Sequence, residues 1–329
     1  MPRSPELRTL RAALSTRLTA TLGMPRLLRY DHGAHPLEDL PGHVRAASSI
    51  RRQGQRLVIL QDDVSALAVL DPSTGSTQPI LLPAGPDGAR VFDDARGNKK
   101  YKMDLEACVV LPDGRLVAFG SGSSPQREKI VTIAAGKGAM AQQLSGSDLY
   151  AGLRTYAAAQ GTCLNIEGAV VHGDWLRLLQ RGIGARGGKS WNAILDLSLN
   201  RFVGWLDGRH PWPPVRRILE VTLGDVSGVA FGFTDAAVTV DGRVAFLACA
   251  EDTNDVLSDG PVLGCRFGWL DADDQAVVMT TIADADGQPT HLKLEGIEAR
   301  LDGGSVFDVV ADMDRGDEPA QLAELVVRD

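Results

Sequence analysis

The sequence predicts an all-β fold, a β-propeller, and three observations predict it. A unit of about sixty residues recurs about five times along the 329-residue chain, a period that belongs to propeller blades. Each copy holds two short apolar runs joined by Asp-Gly or a near equivalent, the signal of a tight hairpin. Each copy also opens on an acid or a small residue and then passes through β-branched residues, which suit extended backbone. The clearest copies are residues 106–119 (EACVVLPDGRLVAF), 167–179 (EGAVVHGDWLRLL) and 235–246 (DAAVTVDGRVAF). Residues 295–307 (EGIEARLDGGSVF) are a looser copy and residues 47–59 (ASSIRRQGQRLVI) a degraded one.

The second runs begin near Leu57, Leu116, Leu176, Val244 and Val306, about 59, 60, 68 and 62 residues apart. That spacing accommodates a four-stranded blade with large loops. Five copies give five blades. A sixth would have to come from the stretch before residue 45 or from one long loop. A solenoid fits less well, because the copies lack a fixed short period and their connections vary.

In chain order, residues 1–23 read as an N-terminal arm or a short amphipathic helix. Leu7, Leu10, Leu14, Leu18 and Leu22 recur at helical or mixed spacing, and Arg11 and Arg17 break any apolar core of a secretory signal. Residues 24–30 read as a strand. The last copy ends with residues 322–327 as its third strand, so an N-terminal strand is expected to supply the fourth and close the ring. Closure removes two exposed sheet edges. One helix is expected from Ser147, with Leu149, Tyr150, Leu153 and Tyr156 on one face and Gly161 as its stop. Residues 211–214 (PWPP) break regular structure locally. No linker or low-complexity segment intervenes, so residues 24–329 read as one propeller domain.

Composition narrows the function classes. With 44% hydrophobic and 23% charged residues the chain has the means to bury a core, which argues against disorder. A net charge of −8 without a Lys/Arg cluster argues against nucleic-acid binding. No uncharged apolar run approaches about eighteen residues, so no transmembrane helix is expected. Cys108, Cys163, Cys249 and Cys265 form no C-x-x-C pair, and three lie in apolar strand contexts. They read as buried thiols of a reducing compartment, with the cytoplasm as the default location.

In an up-and-down blade the first strand lines the central channel. Glu106, Glu167, Asp235 and Glu295 each start a first strand, so they should converge at one mouth of the channel. Clustered carboxylates are hard oxygen ligands that suit Ca²⁺ or Mg²⁺. The loops between second and third strands should ring the same mouth. Three are acidic, through Asp62 and Asp63, through Glu251, Asp252, Asp255 and Asp259, and through Asp312, Asp314 and Asp317. Two are basic, through Arg127 and Lys129 and through Arg181, Arg186 and Lys189. Such cations can hold a phosphate or carboxylate. The bland reading stands beside this one, since channel acids are often water-bridged and loop charges solvated.

Other strings carry less. Residues 182–187 match G-x-G-x-x-G but lead into a strand-like run, without the helix such a site needs, and Ile183 stands where a Walker A loop needs glycine. No H-x-H or H-E-x-x-H pattern occurs. His32 and His35 are a weak metal pair, and His291 stands just ahead of Glu295. No G-x-S-x-G elbow exists.

Asn165, Glu167 and Gly168, then Leu179, Arg181 and Gly182 with Asn192, then Leu294, Glu295 and Gly296 form short strings. They resemble the propeller family of the esterase-like activity of phytase type and, more loosely, gluconolactonase-type propellers. The resemblance spans most of residues 43–329. It implies a cation near the channel and hydrolysis of a phosphoester or ester. By it, Glu167 and Glu295 would be cation ligands, Arg181 an anion contact and Asn192 an orienting group. Ala47 at the acid position of the first copy, and Ala236 after Asp235 in the fourth, depart from the pattern.

Two functions are therefore expected. One is a Ca²⁺- or Mg²⁺-dependent hydrolase of a small anionic phosphoester or ester. Glu106, Glu167, Asp235 and Glu295 would hold the ion, and Arg127, Arg181 and Lys189 the anion. The other is a non-catalytic propeller that binds a ligand or partner through the same face. The want of an evident general base weighs for the second.

Overall fold

The hairpin strands are short apolar runs buried on both faces, and a closed ring of sheets lets every face bury against a neighbour. The computed structural model describes residues 4–134, 141–182, 190–253, 260–301 and 304–329. Blade 1 comprises Ala47–Gln53, Arg56–Gln61, Ala66–Leu70 and Thr77–Leu81. Blade 2 comprises Leu105–Val110, Leu116–Gly120, Lys129–Ile133 and Ala141–Ser145. Blade 3 comprises Ile166–His172, Trp175–Gln180, Ala193–Ser198 and Val215–Thr222. Blade 4 comprises Gly232–Val238, Val244–Glu251, Val262–Leu270 and Val277–Ala283. Blade 5 comprises Lys293–Ala299, Val306–Asp312 and Gln321–Arg328, with Thr19–Leu22 as its outer strand. The inner strand of every blade packs against the inner strands of both neighbours, which closes the β-propeller.

The hydrophobic core is divided accordingly. Five apolar clusters form, one in each wedge between adjacent blades. The wedge between blades 2 and 3 is the widest in composition and takes in both helices, α1 (Ser147–Ala159) and α2 (Leu199–Leu206). Tyr150 of α1 is buried there and donates its hydroxyl to the Gly120 carbonyl at 2.7 Å. Phe202 of α2 packs on Phe119, ring centroids 5.7 Å apart. The helix at 147–159 matches expectation in place, but Ser147, expected as its cap, is its first helical residue; Gly146 is the N-cap, with no side-chain cap hydrogen bond. α2 is too short for its apolar spacing to separate it from the strand that precedes it.

The ring closes from the N-terminus, as expected, with the register corrected. The closing strand is Thr19–Leu22, antiparallel to Gln321–Arg328. Residues 24–30 contribute only the two-residue strand Arg26–Leu27, paired to the same partner. The arm before it is extended and contains no helix among its described residues. Glu6–Arg11 adds a parallel strand to the outer edge of blade 3, and Ala13–Leu14 does so on blade 4. Edge strands offer unpaired backbone groups, and these override the weak helical spacing of the leucines.

The cysteine reading is also corrected. Cys249 and Cys265 face each other across blade 4 and form a disulfide, with Cα atoms 4.2 Å apart. Cys108 is a buried free thiol and Cys163 an exposed one. Strand register opposes the two half-cystines, which lie sixteen residues apart, and no local motif announces it. Among the described residues, no helix is long and apolar enough to cross a membrane.

Candidate functional site

All five inner strands carry a β-bulge at one equivalent position. The residues left out of the pairing are Ser48, Glu106, Glu167, Thr234 and Glu295. A bulge re-aims one side chain, and a shift of one residue sends a side chain to the other face. Three of the leading acids therefore share a structural position. The other two blades place hydroxyls there. Ser48 donates to the Leu105 carbonyl at 2.6 Å, and Thr234 donates to the Leu294 carbonyl at 2.7 Å. Each hydroxyl thus ties its blade to the next.

Asp235 lies one residue past the bulge and is separated from the mouth for that reason. It is fully buried in the centre of the channel, where Arg51 holds both its oxygens at 2.6 and 2.9 Å. Ser49 and the amides of Ala236 and Ile297 complete its partners. Arg51 spends its remaining donors on the carbonyls of Ile50, Ala169, Ala236 and Ile297, so one guanidinium joins blades 1, 3, 4 and 5. Asp235 has no open coordination direction for a metal. Its place is a structural plug.

The mouth is a continuous network of charge. Arg181, at the end of the second strand of blade 3, reaches Glu251 at 2.6 Å, Glu167 at 3.3 Å and Glu295 at 3.7 Å. Lys293 lies 3.8 Å from both Glu251 and Glu295 and 2.8 Å from Asp314. Asn165 donates to Glu167 at 2.6 Å. Oε1 of Glu295 is buried without a hydrogen-bond partner among the described residues. On the blade 2 side, Lys102 lies 2.6 Å from Asp62 and 2.6 Å from Asp104. Arg127 pairs with Asp104 at 2.9 Å and donates to Ser123 at 3.0 Å.

Among the described residues, carboxylates outnumber cations in this network. Asp62, Asp104, Glu106, Glu167, Glu251, Glu295, Asp312 and Asp314 stand against Lys102, Arg127, Arg181 and Lys293. Burial is the main influence on the proton affinities of these acids. Burial, then the nearby Asp62 and Glu167, push Glu106 well above the usual carboxylate range. Burial pushes Glu295 well up too, against the pull of Lys293 and Arg181. Asp312 rises by burial, against Lys293, with repulsion from Asp314 and Asp62. Burial works against ionised Asp104 as well, yet Lys102 and Arg127 hold it below its ordinary value.

Within the network, Asp62, Asp104 and Glu106 each offer an oxygen, all within 4.8 Å of one another. This is the one such group among the described residues. A polar pocket of about 180 Å³ adjoins it, shares Asp62 and Lys102, and continues to Arg45, Asp63, Asp312 and Asp314.

The predicted site residues thus divide. Glu106, Glu167 and Glu295 meet at the mouth with Arg127 and Arg181, whereas Asp235 does not reach it. Both arginines are engaged by carboxylates. Asn192 accepts from the Gly182 and Phe233 amides at 2.8 and 3.3 Å and donates to Phe231 O at 2.8 Å, which pins blade 3 to blade 4. Lys189, Arg186, Asp255 and Asp259 lie outside the described residues. His291 is exposed and bonds to the Val262 carbonyl. Lys102, Asp104 and Lys293 were missed. Asp104 and Lys293 sit two residues before the bulge acid of their blades, a position that alignment on the bulge would have exposed.

Fold and site together define a β-propeller with a plugged channel and an acid-rich charged mouth. The chain belongs to a family of unknown function, DUF6929, which it matches over residues 43–327. No curated protein matches the chain in sequence. Among solved structures it is similar to a glutaminyl cyclase of Myxococcus xanthus, at 13% identity over 99% of this chain and 100% of that one, with a TM-score of 0.47. It is also similar to a mannose phosphorylase from Leishmania mexicana, at 12% identity, coverage of 92% and 88%, and a TM-score of 0.45. A streptogramin B lyase is similar at 10% identity, coverage of 93% and 98%, and a TM-score of 0.41. No activity is carried from any of them to this chain.

Proposed function

We propose that the mouth binds a divalent cation, Ca²⁺ or Mg²⁺, on Asp62, Asp104 and Glu106, and that the protein hydrolyses a small phosphoester or ester in the adjoining pocket. One observation carries this reading. Three carboxylates converge within 4.8 Å, and Glu106, alone of the three, has no ion-pair partner among the described residues. The donor set is all oxygen, which suits a hard cation. A bound ion would polarise a substrate oxygen and acidify a water.

The chain's own residues supply the frame. Arg127 and Ser121 hold Asp104, and Arg181 holds Glu167, Glu251 and Glu295 in one cluster. Lys99 and Arg315 also line the pocket, with side chains 31% and 62% exposed, and each is paired with an acid, Asp94 and Glu318. A pocket of about 180 Å³ is below the usual 300–1,000 Å³ of drug-sized sites, so the substrate is small.

A second reading, binding without catalysis, is favoured by the full engagement of Arg127 and Arg181. EDTA-stripped protein melted with and without millimolar Ca²⁺ or Mg²⁺ tests the cation. A ligand that binds only the folded state raises the midpoint, by about 2.7 kcal/mol of stability at a hundred times Kd. Glu106→Gln should abolish that rise. An unchanged midpoint in the parent protein would sink the reading. A phosphatase and esterase screen with the parent and Glu106→Gln separates hydrolysis from binding alone.

A further inference from the structure

We propose that Lys102 is the resident counter-cation of the Asp62–Asp104–Glu106 group, and that a divalent ion enters by displacing it. The inference rests on the cation reading above and concerns what sets the affinity. The ammonium of Lys102 lies 2.6 Å from Asp62 and 2.6 Å from Asp104, and its side chain is only 8% exposed. It therefore occupies the space between two of the three ligands that the ion would need. The slot demonstrably accepts positive charge, because it already holds some.

Charge counting favours exchange over addition. With all three acids ionised, as metal ligation requires, Lys102 and Arg127 leave the group one positive charge short of neutral. Adding a divalent ion to both would overshoot. Replacing the ammonium with a divalent ion, with Arg127 kept in place, makes the group neutral. Displaced Lys102 also has somewhere to go. It lines the 180 Å³ pocket, whose wall includes Asp312 and Asp314. Lysine suits this role, since its ammonium is a compact point charge on a flexible stem, whereas a guanidinium would lock both carboxylates. Lys102 in the pocket would add a cation where an anionic substrate enters, so ion and substrate bind in that order.

The test is calorimetric titration of EDTA-stripped protein with CaCl₂ and MgCl₂, with melting temperature as a second readout. Lys102→Gln should bind the ion at least about tenfold tighter than the parent, the scale expected when a like charge in contact is removed. Lys102→Met is a second neutral variant that keeps the aliphatic stem packed, and it should behave alike. Lys102→Arg should bind no tighter than the parent. Adding Glu106→Gln to Lys102→Gln should erase the gain, which assigns the ion to this group. Equal affinity in parent, Lys102→Gln and Lys102→Met overturns the inference and leaves the cation reading intact. No binding by any variant overturns the cation reading and this inference together. Binding by the neutral variants alone shows that Lys102 excludes the ion from the native protein, which overturns displacement and the cation reading together.

Discussion

The centre of the channel and its mouth are built from the same five strands, yet they treat charge in opposite ways. At the centre one acid meets one base. Asp235 and Arg51, 0% and 6% exposed, satisfy each other and the carbonyls around them. At the mouth, among the described residues, eight carboxylates share four cations, and a buried Glu295 oxygen has no hydrogen bond. A position shift of one residue separates the two regimes, since Thr234 faces the mouth while Asp235 faces the centre. A neutral, saturated pair holds blades together. A surplus of buried like charge costs stability, and proteins tend to retain such clusters at functional sites.

Asp235→Ala is the strongest way to break this comparison. It strands the Arg51 guanidinium among carbonyls without its carboxylate, and removal of one partner of a buried pair costs about 3–5 kcal/mol. Urea unfolding should show it. A cost near that of a surface substitution would mean that the centre is not a structural tie.

Reduction of the disulfide should come next. Cys249 precedes Glu251 by two residues, and its bond to Cys265 closes a loop of sixteen residues at the edge of the mouth. Loop-closure entropy for about fifteen residues is worth about 3 kcal/mol. Unfolding midpoints with and without dithiothreitol measure it. A midpoint indifferent to reductant would show that strand pairing alone frames this side of the mouth.

A further expected effect is in pH. Burial pushes Glu298 up to about 7 from 4.5, with Arg51 opposing the shift, so it titrates beside the central plug. Between those two values the folded state binds more protons than the unfolded one. Stability from this group therefore falls as pH rises from 4.5 towards 7 and is level above. Glu298→Gln should lose less stability than the parent between about pH 5 and about pH 8, as read by urea midpoints. An identical loss in both would show that Glu298 is not the source.

Much of the ring could be read from residues alone. The second strands begin at Arg56, Leu116, Trp175, Val244 and Val306, each within a residue of the reading from the repeats. Asp-Gly turns and short apolar runs are local signals, and local signals survive in sequence. The closing strand was legible in kind, because a blade with three strands needs a fourth, but its register was not. Of the four acids, Glu106, Glu167 and Glu295 were placed correctly at the mouth. Asp235 was misplaced, since aligning acids on acids hides a bulge that moves one residue out of step.

The sequence by itself determined the period, the helix at 147–159 and the charged character of one face, since each follows from spacing within a few residues. Only the tertiary structure decided which charges meet. Arg51 and Asp235 lie 184 residues apart, and Cys249 meets Cys265 through strand register alone. Lys102 came to stand between Asp62 and Asp104 because adjacent blades pack there. Such pairings depend on bulges and on ring closure, and both are properties of the assembled sheets rather than of any segment.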